Sequence, residues 1–426
     1  MSILQSLNIG VTGLNAAGQG MSVIGDNIAN AGTFGFKSSR AEFQDMLSKS
    51  LKGIDGGDQI GSGTKLAHIT PIFTQGNISR TESITDVALN GNGFFAVEAP
   101  FGRGFTRDGS FHFDKEGNLI NGDGYRVLGF QSDDKGNLTN KLGNIKVGNT
   151  TIPATPTSKI DVSMNLDSRE KVKIFNPEKP EETSQFNTSV SVYDNVGTSR
   201  LITLYFNKTA DGTWDYNAMV DGKDAAGGIP GKMVQMASGS LKFNQSGLLE
   251  EETEKSNSFN FNNGAAPGQK IAFNFGETIK EGGDGNSAST QYGSKNSISR
   301  HVQDGYSAAT LSSLSFNDKG VLTAAYDNGI TKDIAGIAVA KFENNEALYK
   351  MGKNLFKESR KSGQAAMGEP GTDGRGEILS KSLELSNVDL AGEFINLMAA
   401  QRNFQANTKT ITTSDQMLQE VLNIKR

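Results

Sequence analysis

The chain contains no cysteine in its 426 residues. That excludes disulfides, thiolate metal sites and cysteine nucleophiles. Histidine is nearly as scarce: His68, His112 and His301 stand far apart and match no metal-ligand spacing. Charge is missing from the start, where Asp26 is the only charged residue before Lys37. A secretory signal needs a positive n-region ahead of a continuous apolar core; the opening MSILQSLNIGVTGLNAAGQG has neither. No run approaches the roughly eighteen apolar residues of a membrane span. The net charge of −5, with acids and bases both well represented, lacks the basic balance of a nucleic-acid binder. Proline is sparse at 9 residues while glycine reaches 51, a balance that suits short strands and tight turns. The length allows two or three domains.

Two patterns frame the chain. At the start, Leu4, Leu7, Val11, Leu14, Ala17, Met21, Ile24 and Ile28 recur at spacings of three and four, which predicts an amphipathic helix. Its other face is Ser, Asn, Gln and Gly, too uncharged for a helix facing water. At the end, Leu390, Phe394, Leu397, Gln401, Phe404, Thr408, Ile411, Asp415, Leu418 and Leu422 alternate spacings of four and three. That is a coiled-coil register with three polar seam positions, Gln401, Thr408 and Asp415, which can fix register and partner. Ser386 and Asp389 resemble a capping box with Asp in place of Glu.

Between these arms the period changes to two. SVSVYDNVGTSRLITLYFN (189–207) reads as strand, turn, strand. A theme recurs in FDKEGNLI (113–120), DDKGNLT (133–139), FNQSGLL (243–249) and FNDKGVLT (316–323). Each reads as a polar turn ending in glycine before a new strand. The twelve-residue calcium loop with its terminal Glu is absent, and so are the phosphate-loop Gly-Lys-Ser/Thr and the Gly-x-Ser-x-Gly elbow. No pair of carboxylates is singled out. No catalytic, cofactor or metal site is expected.

The expected fold is mixed and mainly β: a nested, multi-domain β-rich body with N- and C-terminal α-helical coiled-coil arms. Composition shifts divide it into arms at 1–30 and 386–426, Gly- and Ser-rich joint flanks at 31–75 and 363–385, a first β-domain at 76–155 and 300–362, and an inserted outer β-domain at 156–299.

Three stretches carry a resemblance: NIANAGTFGFKSSRAEFQDML (27–47), DVALNGNGFFAV (86–97) with FTRDGSFHFDKEGNLINGDGYRVLGF (105–130), and SNVDLAGEFINLMAAQRNFQANTKTITTSDQMLQEVL (386–422). Together they resemble the bacterial flagellar rod/hook axial family, and the length and central insertion look most like its hook branch. Residues from about 156 to 299 carry no such likeness. The resemblance implies a structural subunit, not an enzyme, that polymerises with itself into a curved, flexible tube passing torque from rod to filament. Its implied partners are the rod, hook cap and hook–filament junction proteins and the type III export apparatus, with no nucleic acid and no membrane insertion. It implies a place in the extracellular hook, reached without a cleaved signal peptide. It further implies that the helices meet other subunits through Leu4, Leu7, Val11, Leu14, Met21, Ile24 and Ile28, and through Leu390, Phe394, Leu397, Gln401, Phe404, Ile411, Leu418 and Leu422. Asn27, Ala29, Asn30, Thr33, Gly35, Phe36 and Lys37 match the family's joint motif, where the chain leaves the helical tube. Phe34 and Phe36 are expected to pin it against a neighbour, and Lys37 to pair with an acid. The distal rod protein of the same family is the nearest alternative; a secreted β-rich adhesin or carbohydrate-active enzyme is one of a different class.

An isolated helix of either kind is marginal in water. Both termini are therefore expected to be disordered in the dilute monomer and to become helical on assembly. Sharp, random-coil amide resonances from residues 4–28 and 390–422 would bear this out; helical chemical shifts at low concentration would refute it.

Overall fold

A computed structural model describes residues 3–46, 49–50, 59–133, 136–148, 150–283 and 288–424. Parts of the 31–75 flank, the interior of the DDKGNLT turn and part of the return after 282 lie outside the described residues. Two compact units divide the chain: one holds residues up to 148, 313–325 and 331 onward, the other 149–312 and 326–330.

The first unit carries both long helices, Ile3–Ala29 and Leu390–Ile424. The C-terminal helix begins one residue after Asp389, whose carbonyl accepts from Glu393 N–H (2.9 Å) and whose carboxylate accepts from Ala391 N–H (3.1 Å). Asp389 is thus the N-cap itself. This corrects the capping-box reading: the Ser386 hydroxyl accepts from Val388 N–H (3.4 Å), outside the helix. Beside the helices, Ser39–Asp45 and Thr64–Pro71 form an antiparallel pair.

The β-body of this unit is an antiparallel sheet centred on Phe94–Ala99 and Arg126–Ser132, extended by Val321–Tyr326 and Thr331–Ile337 on one side and by Gly102–Thr106 and Leu355–Lys357 on the other. The GNGFF stretch explains itself here. Phe94 and Phe95 are adjacent in a strand, so they point to opposite faces. Phe95 enters a core with Leu89, Phe111, Val127 and Ile337, while Phe94 enters a second with Phe105, Phe342 and Phe356. In the second core the Phe105 and Phe342 rings meet edge to face, centroids 4.8 Å apart. Gly93, at φ +128°, leaves no room for a side chain, because a Cβ there would lie 2.5 Å from Val339.

The joint flanks hold strands. Glu377–Ser380 pairs with Val87–Asn90, and Ser382–Glu384 with Ile78–Arg80. Their glycine and serine content reads as looseness, but backbone pairing fixes them.

The second unit is built on an antiparallel meander of five strands: Phe186–Tyr193, Ser199–Ala210, Thr213–Asp221, Met233–Phe243 and Leu249–Asn257. A three-stranded sheet, ordered Ala272–Asn274, Lys159–Asn165 and Ser297–Gln303, shares its core. Trp214, Tyr216, Phe206, Phe259 and Phe275 fill the space between. The unit reaches past the 156–299 read from composition because Thr151 and Ile152 pair with Thr310 and Ala309, closing its neck.

The recurring turns share one chemistry. Asn317 shows it: its carbonyl accepts from Gly320 N–H (2.9 Å) and its side-chain oxygen from Lys319 and Val321 N–H (both 3.0 Å). Asp114 and Asn244 do the same at Gly117 and Gly247. Gly320, at φ +70°, supplies the left-handed residue that lets the strand resume. The side-chain oxygens that a calcium ion would need are taken by backbone N–H groups.

Glu252 supplies a pH test of the second unit. Burial, with Glu281 and Glu254 nearby, pushes its carboxyl up to about 7 from 4.5. Between these values the native state keeps a proton that the unfolded chain releases, so stability falls as pH rises through the window. Glu252→Gln should unfold like the parent near pH 4.5 and melt progressively higher than it up to pH 7. A difference in Tm that does not change with pH would refute this.

Candidate functional site

The candidate site is the joint between the arms and the first β-body, together with the helix faces beyond it. Asn27 sits in the last turn of the N-terminal helix, 1% exposed. Its Nδ2 donates to the Ser39 carbonyl (2.8 Å) and its Oδ1 accepts from Ser39 N–H (2.9 Å), so the side chain holds Ser39 as a neighbouring strand would. Nδ2 also lies 3.1 Å from Oε1 of Glu393 on the C-terminal helix. Asn387 makes the matching contact: its Oδ1 accepts from Ser38 N–H (2.8 Å) and its Nδ2 donates to the Ile72 carbonyl (2.8 Å).

The centre of the joint is ionic. Lys37 Nζ donates to Glu384 Oε1 (2.6 Å) and to the Thr74 carbonyl (2.7 Å), and neither charged side chain is exposed. Arg107 Nη1 reaches Glu384 Oε2 at 3.2 Å, and Gly76 N–H donates to Oε1 at 2.9 Å. One carboxylate therefore serves two buried cations. Burial pushes the Lys37 ammonium below its ordinary value, against the pull of Glu384, and lowers the Arg107 guanidinium likewise. Arg107 also donates to the Gly91 carbonyl (2.7 Å) and lies over the Phe94 ring, which ties the joint to the body.

The rest of the motif wraps this centre. Gly35 N–H donates to the Glu384 carbonyl (2.8 Å), and at φ +65° a Cβ there would lie 2.4 Å from Asp108 N. Phe36 is buried beneath Lys350 Nζ, 4.9 Å from its ring centre. Thr33 and Asn30 bond to each other, and Asn30 bonds back to Asp26. Ala29 and Phe34 are exposed.

The two helices meet through small residues. A Cβ on Gly10 would lie 2.9 Å from Ile411, and one on Gly13 would lie 2.7 Å from the Asn407 amide. The covered row of the C-terminal helix is Glu393, Leu397, Ala400, Phe404, Asn407, Ile411, Ser414 and Leu418. Relative to the predicted seam this row is rotated by about one residue. Leu397, Phe404, Ile411 and Leu418 belong to both rows and are partly buried, whereas Leu390, Phe394, Gln401, Thr408, Asp415 and Leu422 face outward. On the N-terminal helix Leu4 and Val11 are exposed, and Leu7, Leu14, Met21, Ile24 and Ile28 are half-buried. A groove of about 910 Å³ runs between the helices and the strand pair, lined by Gly13, Ala16, Gly20, Phe43, Ala400 and Glu393 among others. Oε2 of Glu393 is buried with no hydrogen-bond partner among the described residues.

Four family models match successive parts of the chain. They are described as flagella basal body rod protein (residues 7–37), flagellar hook protein FlgE/F/G D1 domain (88–165), flagellar basal body protein FlaE D2 domain (165–306) and flagellar basal body rod FlgEFG protein C-terminal (379–424). The flagellar hook protein FlgE of Salmonella typhimurium is 34% identical over 426 residues, covering 99% of this chain and 100% of that protein. The chain belongs to the flagellar hook protein family. FlgE of Borreliella burgdorferi is 32% identical over 471 residues, covering 99% of this chain and all of that protein. The crystal structure of Helicobacter pylori flagellar hook protein FlgE2 shares the fold, with a TM-score of 0.54 at 15% identity over 72% of this chain and 100% of that one. As a hook-family member the chain is a structural subunit of the flagellar hook.

Glu384, Arg107, Asn387, Lys350 and Glu393 escape the sequence reading of the site. Signals were present: Glu384 interrupts a strand-like LEL, and Arg107 and Asn387 lie inside the stretches that carry the resemblance.

Removing one partner from a buried ion pair leaves an uncompensated charge and costs about 3–5 kcal/mol. Glu384→Ala strands two cations and should lose at least that much. Lys37→Met leaves Glu384 paired with Arg107 and should cost clearly less. Denaturant unfolding of the purified monomer checks the order; equal or reversed costs would refute the view that Glu384 is the shared counter-ion.

Proposed function

We propose that this hook-family subunit polymerises through its terminal helices into the curved tube that joins rod to filament and passes torque while bending. One observation carries the reading. The C-terminal helix has one face taken by the N-terminal helix, yet it presents Leu390, Phe394 and Leu422 on the other at 45, 51 and 67% exposure. Leu390 and Phe394 stand with Ile395 and Met398 near one end of the helix, and Leu422 with Met417 and Val421 near the other; exposed apolar clusters of this kind are surfaces for other protein. The small-residue groove and the unpartnered Glu393 oxygen offer neighbouring copies a second place to bind. In this reading the joint is a clamp. Bending occurs at contacts between copies, while each arm moves with its own first β-body.

The family likeness supports rod, hook cap and hook–filament junction proteins as neighbours, and passage through the type III apparatus to an extracellular position without a cleaved signal. No helix among the described residues is long and apolar enough to cross a membrane. The reading assigns the chain no catalysis, cofactor or metal. The match of residues 165–306 to the D2 model, with full-length likeness to hook proteins, favours the hook over the distal rod.

Electron microscopy of basal bodies from a strain deleted for this gene tests the reading. Complete rods without hooks are expected; incomplete rods would make the protein a distal rod subunit, and intact hooks would overturn both assignments. Complementation with Phe394→Asp should leave the strain without hooks while the purified variant unfolds like the parent. Leu397→Asp and Phe404→Asp, on the shared row, should block assembly and also loosen the helix pair. Normal hooks from Phe394→Asp would refute the outward row as an assembly face.

A further inference from the structure

The second unit carries a cleft that polymerisation through the arms does not use. It lies at one end of the five-stranded sheet, where the Asp211–Gly212 and Asn244–Gly247 turns stand beside residues 291–293, a depression of about 460 Å³ open to solvent. That volume is in the range of small-ligand sites.

Its parts are held in place. Tyr292 N–H donates to the Asn165 side chain (2.9 Å), and the Tyr292 carbonyl accepts from Ser168 N–H (3.1 Å). Two atoms of its ring lie 3.0 and 3.1 Å from where a Cβ on Gly247 would be. The ring is therefore seated against the turn, yet the residue stays 47% exposed. Gln291, only 8% exposed, also lines the cleft, and its backbone N–H donates to the Gly247 carbonyl (2.8 Å). Lys208, 5% exposed, donates to the Ser168 carbonyl (2.8 Å) and stands 3.2 Å from the fully exposed Asp211 carboxylate.

The chemistry selects a ligand class. An aromatic ring seated against a turn in a half-exposed residue suits the C–H face of a sugar ring. A carboxamide, an ammonium with donor capacity to spare and a carboxylate suit hydroxyl groups, which both donate and accept. Among the described residues, Lys208 and Asp211 are the charged residues that line the cleft, and they balance, so a neutral ligand fits better than an anion.

We propose that this cleft binds a neutral saccharide, with one ring on Tyr292 and its hydroxyls held by Gln291, Lys208 and Asp211.

Saturation-transfer NMR on the full chain, with lactose and maltose as probes and sialyllactose as the anionic comparison, tests this. Saturable transfer from at least one neutral disaccharide is expected. Tyr292→Ala should weaken it about tenfold, near the 1.4 kcal/mol that a lost aromatic platform represents. Gln291→Ala should weaken it less, and Tyr349→Ala, in the other unit, should change nothing. If Tyr292→Ala does not fold, Gln291→Ala carries the test through the same comparison. No transfer from either neutral sugar, transfer from sialyllactose alone, or transfer undiminished in the cleft variants would overturn the proposal.

Discussion

A single buried carboxylate, Glu384, fixes how the helical arms leave the β-body. It answers Lys37 from the segment after the first helix, Arg107 from the body and the backbone at Gly76. The charged side chains are at most 3% exposed, so their partners are each other, the Thr74 and Gly91 carbonyls and the Gly76 N–H. Such an arrangement tolerates few geometries, because a displaced partner leaves a charge in a medium that cannot solvate it. The bonds of Asn27 and Asn387 to the backbone at residues 38 and 39 extend that constraint into both helices. The Asn- and Gly-rich joint is therefore fixed in its own chain, its glycines serving close approach rather than motion. Gly35 packs on the backbone of Arg107 and Asp108.

Where the two helices come closest, small residues make the contact. Glycine and alanine face inward on the N-terminal helix and allow it to approach Ile411 and Asn407. The larger apolar residues at Leu4, Val11, Phe394 and Leu422 remain outside. Ordinary amphipathic helices bury the large and expose the polar. Here part of the apolar surface of both helices stays uncovered within the chain.

Much of this was legible in the sequence, and the failures have physical causes. Both helices, the switch to period-two patterning, the hairpin turns and the nesting of one unit within another follow from residue spacing and turn chemistry. The row covered within the chain differs from the apolar seam by one residue at alternate positions, because hydrophobicity picks out Phe394 and Leu390, whereas the contact within the chain uses Ala400, Asn407 and Ser414. Small and polar residues leave no trace in an apolar pattern. The capping box failed because Asp389 serves as the cap itself. The ion cluster was half visible: Lys37 called for an acid, but its partner lies 347 positions away, and no local pattern spans that distance. The strands in the joint flanks were hidden by glycine and serine, whose pairing is decided by what lies beside them.

The same separation sets an order of events. The hairpin turns close over a few residues and need nothing from the rest of the chain, so they form early and at small entropic cost. The joint closes a loop of several hundred residues. Until Glu384 arrives, Lys37 and Arg107 have a strong reason to stay in water, and the first helix has no fixed direction. A chain that emerges from its N-terminus thus holds its leading segment uncommitted until nearly all of it has followed. The clasp closes only once Glu384, next to the C-terminal helix, has joined Lys37 and Arg107.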